Sequence, residues 1–293
     1  MTSVLLVGMA VADLVFDVET MPCSAEKYRA IGARIVGGGI AANAAVAVAR
    51  LGGTAHLAAR LGDDHVGRMI TDDLEADGVD LSLTTRSPGA KSSYSSVFID
   101  RQGERQIVNF RGDNLPDTPR WTIPPVKAVL ADTRWEAGAL AALSTARERG
   151  IPGIVDAEAP VPPSLLNAAS HVAFSMQGLR ELTDADDPET ALHLARLYTD
   201  AWLAVTDGEK GVWTLNGDGL SHHPAYPVTV VDTLGAGDIW HGAFALALAD
   251  GRPEADAVRV ASAAAALKCT RTGGREGAPT RIELASFLKE TAS

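Results

Sequence analysis

Two carboxylates flank a glycine-rich turn at residues 232–238, where the chain reads Asp-Thr-Leu-Gly-Ala-Gly-Asp before a run of apolar residues. The first N–H groups of a helix have no acceptor within the helix, and the helix dipole favours negative charge there. The amides of Gly235, Ala236, Gly237 and Asp238 are therefore predicted to bind an anion such as a phosphate. Asp238 is then a candidate general base beside that anion, which suits phosphoryl transfer. A structural interpretation stays open, in which the glycines make a tight turn and Asp238 caps the helix.

A second glycine cluster lies at residues 36–43, Val-Gly-Gly-Gly-Ile-Ala-Ala-Asn. Its first and third glycines and Ala42 match a dinucleotide-binding loop, but such a loop directly follows the first core strand, and the predicted strand 4–7 ends about 30 residues earlier. Glycines at a helix entry also let a ligand approach the backbone closely, and Asn43 can hydrogen-bond hydroxyls. The sequence has no Walker loop, nucleophile elbow or zinc helix, which excludes several other enzyme classes.

The composition is that of a globular protein, with 46% hydrophobic and 22% charged residues among 293. A net charge of −11 argues against a nucleic-acid or anionic-membrane surface. Cys23 and Cys269 are too few for a disulfide framework or a cysteine metal site. The N-terminus lacks the basic segment of a signal peptide, and no apolar stretch is long enough to span a membrane. We therefore expect a cytoplasmic protein whose partners are small molecules rather than nucleic acid or membrane.

Short runs of Val, Ile and Leu alternate with Ala-rich segments of helical spacing, which is the pattern of β-α-β units. Because these runs are apolar throughout, they predict a mostly parallel sheet covered on both faces, a three-layer α/β/α architecture. The predicted helices include 44–51, 136–148 and 254–268. The predicted core strands are 4–7, 55–59, 128–131, 153–156, 171–174, 202–206 and 229–232.

Two stretches break this pattern with short alternating strands that predict a small second sheet. Such a sheet can cover a cleft or pair with another subunit, because exposed sheet edges need cover. We expect one domain over residues 1–293, with a discontinuous β lid from about 14–36 and 91–111. The predicted lid strands are 15–19, 28–36, 92–100 and 105–110.

Three motifs resemble the signatures of the ribokinase-like (PfkB) carbohydrate kinases, and the resemblance covers almost the whole chain. The motifs are G-G-G-I-A-A-N-A-A-V-A-V-A-R-L-G at 37–52, R-L-G-D-D-H-V-G at 60–67 and D-T-L-G-A-G-D at 232–238. Their pairing and order are highly specific. The resemblance implies the ribokinase-like fold with a small β-sheet lid, and an enzyme that uses ATP and Mg²⁺ to phosphorylate a sugar.

The resemblance also implies roles for individual residues. In such kinases the catalytic base and the anion hole would be Asp238 with Gly235, Ala236 and Gly237. The ligands of the substrate hydroxyls would be Asp13, Gly38, Gly39 and Asn43. On the nucleotide side, the T-x-G-x-x-G match gives Thr206, Gly208 and Gly211, and the residues near the adenine would be Ser262, Ala265 and Lys268.

One element of the family pattern is missing. Members often carry an N-x-x-E segment that places the metal and the phosphates, but this chain has Ser-Met-Gln-Gly at 175–178. We propose Asp232 and Asp156, both at predicted strand ends, as the acids that organise the magnesium ion here. Glu181 is a further alternative. A simple structural role also stays open for Asp156. The resemblance further implies a monovalent cation, K⁺, near Asp232 and residues 272–274.

Within the family, the chain resembles the bacterial 6-deoxy-6-sulfofructose kinases. The shared stretches are K-Y at 27–28, A-K-S-S at 90–93, G-E-R at 103–105, V-L-A-D-T-R-W at 129–135 and A-A-L-K-C-T-R-T-G-G-R at 265–275. The resemblance implies that Lys27, Asn109 and Arg134 contact the sulfonate. A sulfonate is a permanent anion with three acceptor oxygens, which suits two cations and an amide donor. Alternatively, Lys27 and Arg134 are solvated surface charges and Asn109 is an edge residue.

The predicted reaction is an in-line transfer of the γ-phosphoryl group of Mg-ATP to the C1 hydroxyl of a ketohexose-type sugar, giving the 1-phosphate. Kinases of fructose, ketodeoxygluconate, a sugar phosphate or a nucleoside remain open, because they keep the same motif beneath a different lid. A non-catalytic sugar-binding regulator is the alternative from another class, although it would more readily have lost Asp238. The family resemblance implies a homodimer that pairs through the lid.

Overall fold

The chain folds into a large and a small β-sheet, with helices around the large one, in a computed structural model that describes residues 1–217 and 219–291. The strands of the described residues are β1 (Ser3–Gly8), β2 (Val11–Asp17), β3 (Gly32–Gly38), β4 (Thr54–Gly62), β5 (Thr85–Ser87), β6 (Tyr94–Ile99), β7 (Arg105–Phe110), β8 (Ala128–Asp132), β9 (Gly153–Ala157), β10 (His171–Ser175), β11 (Trp202–Thr206), β12 (Val212–Asn216) and β13 (Gly219–His223).

The helices vary in length from 6 to 16 residues, and the turns that precede two of them build the floor of the site described below. They are α1 (Ile40–Arg50), α2 (His65–Ala76), α3 (Glu136–Arg149), α4 (Pro163–Ala168), α5 (Met176–Thr183), α6 (Pro188–Ala195), α7 (Ala236–Ala249), α8 (Glu254–Cys269) and α9 (Arg281–Glu290). Two short 3₁₀ helices lie at Gly208–Lys210 and Arg275–Gly277.

The large sheet has the order β13-β12-β11-β10-β9-β8-β1-β4-β5. Its strands are parallel from β11 to β5, and the hairpin of β12 and β13 adds the antiparallel pairings. The chain leaves β1 for β4 on one side and later returns to β8 on the other, so strand order reverses at β1. Ligands of open α/β sheets bind beyond the carboxyl ends of the strands at such a reversal.

Alternate side chains of β1 pack into two separate hydrophobic layers, one on each face of the sheet, which explains why the strand is apolar throughout. Val4 and Leu6 face the layer with α1, α2, α7, α8 and α9, whereas Leu5 and Val7 face the layer with α3 to α6. Helix α7 is buried on every side from Ile239 to Ala249, as expected for a helix that is apolar all round. The predicted three-layer architecture with a mostly parallel sheet and a small second sheet is confirmed.

The small sheet, called the lid below, has the order β3-β2-β6-β7. Its strands begin and end within a few residues of the predicted ones. One predicted core strand, 229–232, is wrong: these residues form a loop, in which the Val231 and Asp232 N–H groups donate to the Cys269 carbonyl at 2.7 and 3.2 Å. Val230 and Val231 are 58% and 55% exposed, so the β-branched run that suggested a strand has no sheet to join. Within the described residues no helix is long and apolar enough to cross a membrane.

Candidate active site

A cleft of about 570 Å³ lies between the inner face of the lid and the carboxyl ends of the central strands. The glycine turn before α1 and the loop before α7 form its floor, and both of the sequence motifs that carry chemistry therefore meet at one site. The predicted residues that line the cleft are Asp13, Gly38, Gly39, Asn43, Asn109, Asp232, Gly235, Ala236, Gly237 and Asp238.

The loop before α7 has the shape of an anion-binding turn. Gly235 is the N-cap of α7 with φ = 75°, a left-handed conformation that favours glycine. Asp238 lies in the first turn of the helix. Of the predicted donors, the Ala236 N–H is already 3.1 Å from the Thr233 carbonyl, so the amides of the two glycines and of Asp238 are the better candidates to face an anion.

Asn43 and Asp238, which are 195 residues apart in sequence, are hydrogen-bonded in the cleft floor. The Asn43 Nδ2 atom donates to Asp238 Oδ2 at 2.6 Å, which leaves the buried Asn43 Oδ1 without a protein partner among the described residues. The contact depends on a close crossing of α1 and α7: a Cβ at Gly242 would lie 2.5 Å from the Ala44 carbonyl oxygen. A buried polar atom without a partner is rare in folded proteins and is typical of a functional site.

A buried ion pair lies beneath Asp238. The His241 Nδ1 atom is 3.0 Å from Asp156 Oδ2, and both side chains are almost completely buried. Burial alone lowers the pKa of His241, but the Asp156 carboxylate outweighs this effect and raises the pKa to about 9. Burial raises the pKa of Asp238 to about 8, with the charges of Asp156 and Glu158 adding to it and the Asn43 hydrogen bond opposing it. A strongly raised carboxyl pKa in a cleft is typical of functional acids and bases.

The lid presents a row of polar side chains to the cleft. In the strand register Asp13 pairs with Ser95, and Ser95 pairs with Asn109, so the three lie side by side across β2, β6 and β7. The Asn109 Nδ2 atom donates to Ser95 Oγ at 3.0 Å. Burial raises the pKa of Asp13, although a hydrogen bond from Ser95 stabilises its carboxylate and opposes this rise. A Cβ at Gly38 would lie 2.4 Å from Asp13 Oδ2, so glycine there lets the turn approach this row.

The positively charged residues at the cleft are not the ones that the sequence suggested. Arg34 and Arg105, on the outer lid strands, line it and pair with Asp17 at 2.7 Å and with Asp232 at 3.4 Å. Lys27 is exposed on the segment between β2 and β3 and does not line the cleft.

Arg134 also lies outside the cleft wall. Its guanidinium is 3.2 Å from Glu158 Oε2 and donates to the Ala159 carbonyl at 2.9 Å.

The two acids suggested for magnesium have different surroundings. Asp156 is 1% exposed, does not line the cleft, and is paired with His241. Asp232 lines the cleft, where its carboxylate accepts from the Leu234 N–H at 2.8 Å. Glu158 lines the cleft too, and its pKa is raised by burial and by Asp156. Among the described residues no three His, Cys, Asp or Glu side chains converge as a metal cage.

The residues suggested for the nucleotide lie outside this cleft. Thr206 ends β11, and Gly208 and Gly211 bound the 3₁₀ turn after it. On α8, Ser262 accepts a hydrogen bond from Trp240 at 3.2 Å, and Ala265 is partly exposed. The sixth residue, Lys268, is 0% exposed, with its ammonium 2.8 Å from the Asp232 carbonyl oxygen rather than on an open surface.

Sequence reasoning missed Ser95, Glu158, His241 and the two lid arginines. Ser95 carried no signal of its own, because it lies in the run Ser-Ser-Tyr-Ser-Ser at 92–96, where no alternation marks one face of the strand. Glu158 lies two residues after the predicted strand 153–156, at the sheet edge where ligands bind. His241 lies one turn after Asp238 and so on the same face of α7, but its partner Asp156 could not be inferred from spacing.

Comparisons with known proteins agree with this geometry. The model of the pfkB family carbohydrate kinases matches residues 1–281. Ribokinase of Bacillus subtilis is 30% identical over 98% of this chain and 100% of its own length. A candidate ribokinase from Agrobacterium tumefaciens, solved as a crystal structure, superposes with a TM-score of 0.92 at 40% identity over 99% of this chain and 98% of its own.

Arabidopsis thaliana ribokinase in complex with ribose and ATP superposes with a TM-score of 0.89 at 25% identity over 98% of each chain. The family match spans nearly the whole sequence, and the superpositions confirm the ribokinase-like fold with its large and small sheets. The chain therefore belongs to the pfkB family carbohydrate kinases and is an ATP-dependent sugar kinase.

Proposed function

We propose that this kinase transfers the γ-phosphoryl group of Mg-ATP to the C1 hydroxyl of 6-deoxy-6-sulfofructose, giving the 1-phosphate. The observation that carries the catalytic part is the Asp238 carboxylate, held by Asn43 at the N-terminus of α7 and open to the cleft. A hydroxyl of a sugar bound in the cleft can approach that carboxylate. The site thus brings an acceptor hydroxyl, a base and an anion-binding turn together.

Asp238 accepts the proton of the attacking hydroxyl in this mechanism. Its pKa of about 8 makes it a stronger base than an ordinary carboxylate, so the proton transfer is better matched to an alcohol. The first-turn amides of α7 stabilise the charge that develops on the transferred group, because they are fixed and point toward it. Removal of such a base typically costs about 10²–10⁴ in rate.

Glu158 is our choice for the acid that helps hold Mg²⁺. Mg²⁺ usually binds one or two carboxylates together with the substrate phosphates, and Glu158 is a carboxylate on the cleft wall near Asp238. The Arg134 guanidinium, 3.2 Å from Glu158 Oε2, fixes the orientation of this carboxylate. When bound, the ion neutralises charge on the phosphates, and Asp156 would keep its role as the partner of His241.

The lid supports an anionic substrate. A sulfonate has three acceptor oxygens, and the inner face of the lid offers the Asn109 amide and the guanidinium groups of Arg34 and Arg105. This cationic wall is notable in a chain of net charge −11. The resemblance to sulfofructose kinases adds Lys27 and Arg134, which contact a sulfonate only if the lid moves toward the floor when the sugar binds.

A substrate panel tests this proposal. Sulfofructose, fructose, fructose 6-phosphate, ketodeoxygluconate, ribose and a nucleoside are compared by ATP turnover, and sulfofructose should give the highest kcat/KM. A neutral sugar is the second candidate, favoured by the ribokinases among the relatives. Fructose or ribose turned over more efficiently than sulfofructose would overturn the sulfonate assignment while leaving the kinase assignment intact.

Single variants then locate the sulfonate site. We compare four alanine variants, Lys27→Ala, Arg134→Ala, Arg34→Ala and Arg105→Ala. Loss of a residue that binds the anion should raise the KM for sulfofructose by about tenfold or more, with little change in the KM for fructose. Equal effects on both sugars would assign the residue to folding or lid position. Arg101→Ala is the matched control, because Arg101 is a lid-hairpin arginine that pairs with Glu19 and does not line the cleft.

A homodimer through the lid completes the proposal. The lid face turned away from the cleft is apolar and open to solvent, with Val108 63%, Ile35 57% and Phe110 40% exposed. Exposed apolar patches of this kind mark interaction sites, and a second copy of the chain is the occupant that the family resemblance implies. Light scattering should give twice the monomer mass, and Val108→Glu should give monomers.

A further inference from the structure

Lys268, on the last turn of α8, has a completely buried side chain whose ammonium reaches the loop before the active site. Its Nζ atom donates to the Asp232 main-chain oxygen at 2.8 Å and is 3.8 Å from Asp232 Oδ1. The stem passes Gly277, where an added Cβ would be 3.4 Å from Lys268 Cε. Burying an ammonium is costly unless oxygen atoms surround it, so this position is built for a cation.

The surroundings of the ammonium are those of a cation site made of oxygen atoms. The C-terminus of α8 is the negative end of the helix dipole, and Asp232 adds a full carboxylate next to its own carbonyl oxygen. These charges oppose the effect of burial, which lowers the pKa of Lys268, and Arg105 is a second cation near the same carboxylate. The ammonium therefore has Asp232 as its counter-ion.

The contact of Lys268 fixes Asp232, the residue that holds the anion-binding turn in position. The Asp232 carboxylate accepts from the Leu234 N–H at 2.8 Å and from the Gly273 N–H at 3.1 Å, so it ties the loop before α7 to the segment after α8. Gly235, the N-cap of α7, follows Leu234 directly. Any change in the position of Asp232 is thus passed to the amides that face the phosphate.

We infer that the Lys268 ammonium is a cation supplied by the chain itself, which holds the anion-binding turn in place of the K⁺ ion that the family resemblance implies near Asp232. The residues present do not fit a K⁺ ion there. An ion on the same carbonyl would lie within about 4–6 Å of the ammonium, where like charges disfavour each other. The inference rests on the proposed role of the turn at 235–238 as the anion hole.

The wild-type enzyme gives the first test. Turnover is measured at constant ionic strength in KCl, NaCl, NH₄Cl and tetramethylammonium chloride, with the best sugar of the substrate panel. The expected result is the same kcat in all four salts. Activation by K⁺ of about tenfold or more over tetramethylammonium, the size of one lost charged hydrogen bond, would overturn the inference.

Removal of the ammonium gives the second test. Lys268→Ala should lose about tenfold or more in kcat in tetramethylammonium chloride and should regain activity with K⁺, NH₄⁺ or methylammonium, which can enter the vacated space. Lys268→Met fills that space without charge, so it should lose activity without regaining it. Lys127→Ala, at an exposed lysine outside the cleft, is the matched control and should behave as the wild type.

Thermal unfolding supplies a readout that needs no sugar. K⁺ should raise the melting temperature of Lys268→Ala relative to tetramethylammonium, but should not raise that of the wild type or of Lys268→Met. A K⁺-dependent rise in the wild type would overturn the inference even if the kinase proposal holds. Conversely, if Asp238→Asn turns over normally, the proposed base assignment fails regardless of the salt results. If Lys268→Ala does not fold, the wild-type salt series still decides.

Discussion

Asp238→Asn should lower turnover strongly and, at alkaline pH, stabilise the folded protein. The pKa of Asp238 rises from 3.8 to about 8 in the folded protein, so the folded state holds this proton more tightly than the unfolded chain does. The wild type therefore loses stability as the pH rises between these two values. The neutral amide does not titrate, which removes this loss.

The magnitude follows from the shift. One pKa unit corresponds to about 1.4 kcal/mol, so the full shift gives an upper bound of roughly 5–6 kcal/mol above pH 8. The carboxyl opens on the cleft, where water screens its charge, and we expect about 1–2 kcal/mol to remain. For a chain of this size that is a rise in melting temperature of about 2–3 °C.

The assay combines thermal unfolding at about pH 5 and about pH 8.5 with turnover at saturating ATP and sugar. The variant should gain stability over the wild type at the higher pH, with little difference at the lower one, and kcat should fall by about 10²–10⁴. Asp200→Asn is the control, because Asp200 is exposed and outside the cleft. Near wild-type turnover would refute the assignment of the base, and a lower melting temperature at pH 8.5 would refute the electrostatic reasoning.

Three further predictions concern the surroundings of this carboxylate. Asp156→Asn removes a negative charge that raises the pKa of Asp238, so the acid limb of kcat/KM, expected near pH 8 in the wild type, should move to lower pH; an unmoved limb would contradict the coupling. Glu158→Gln should raise the Mg²⁺ concentration needed for half-maximal rate by about tenfold, measured at fixed ATP, and an unchanged value would remove Glu158 from the metal site. Gly242→Val should cost about 1–3 kcal/mol in urea unfolding and lower kcat, because the side chain meets the carbonyl of α1; Gly217→Ala, with open space around it, is the control, and equal effects would refute the packing argument.

The core of the fold was predictable because its signals are local. The strands β1, β8, β9, β10 and β11 are apolar runs bounded by polar or glycine residues, and each was predicted to within a residue or two at its ends. The same criterion failed at 229–232, where Val230 and Val231 are exposed. A β-branched run predicts a strand only if a neighbouring strand is there to pair with it, and no local window contains that information.

The floor of the cleft was also largely predictable. Gly235, Asp238 and Asn43 were expected from two motifs, and the structure brings both motifs into one cleft. The charged wall was not predictable. Arg34 and Arg105 face the cleft because of the lid register, whereas Lys27 and Arg134 lie elsewhere.

The sequence by itself determined the fold class and the two glycine motifs and gave the candidate base, because each depends on the residue types within a short stretch of sequence. Only the tertiary structure decided the electrostatics. Asp156 meets His241 and Lys268 meets Asp232 across 85 and 36 residues of chain, and the pKa of Asp238 depends on such neighbours. Charge interactions depend on distance and burial, which are properties of the folded chain and not of its spacing.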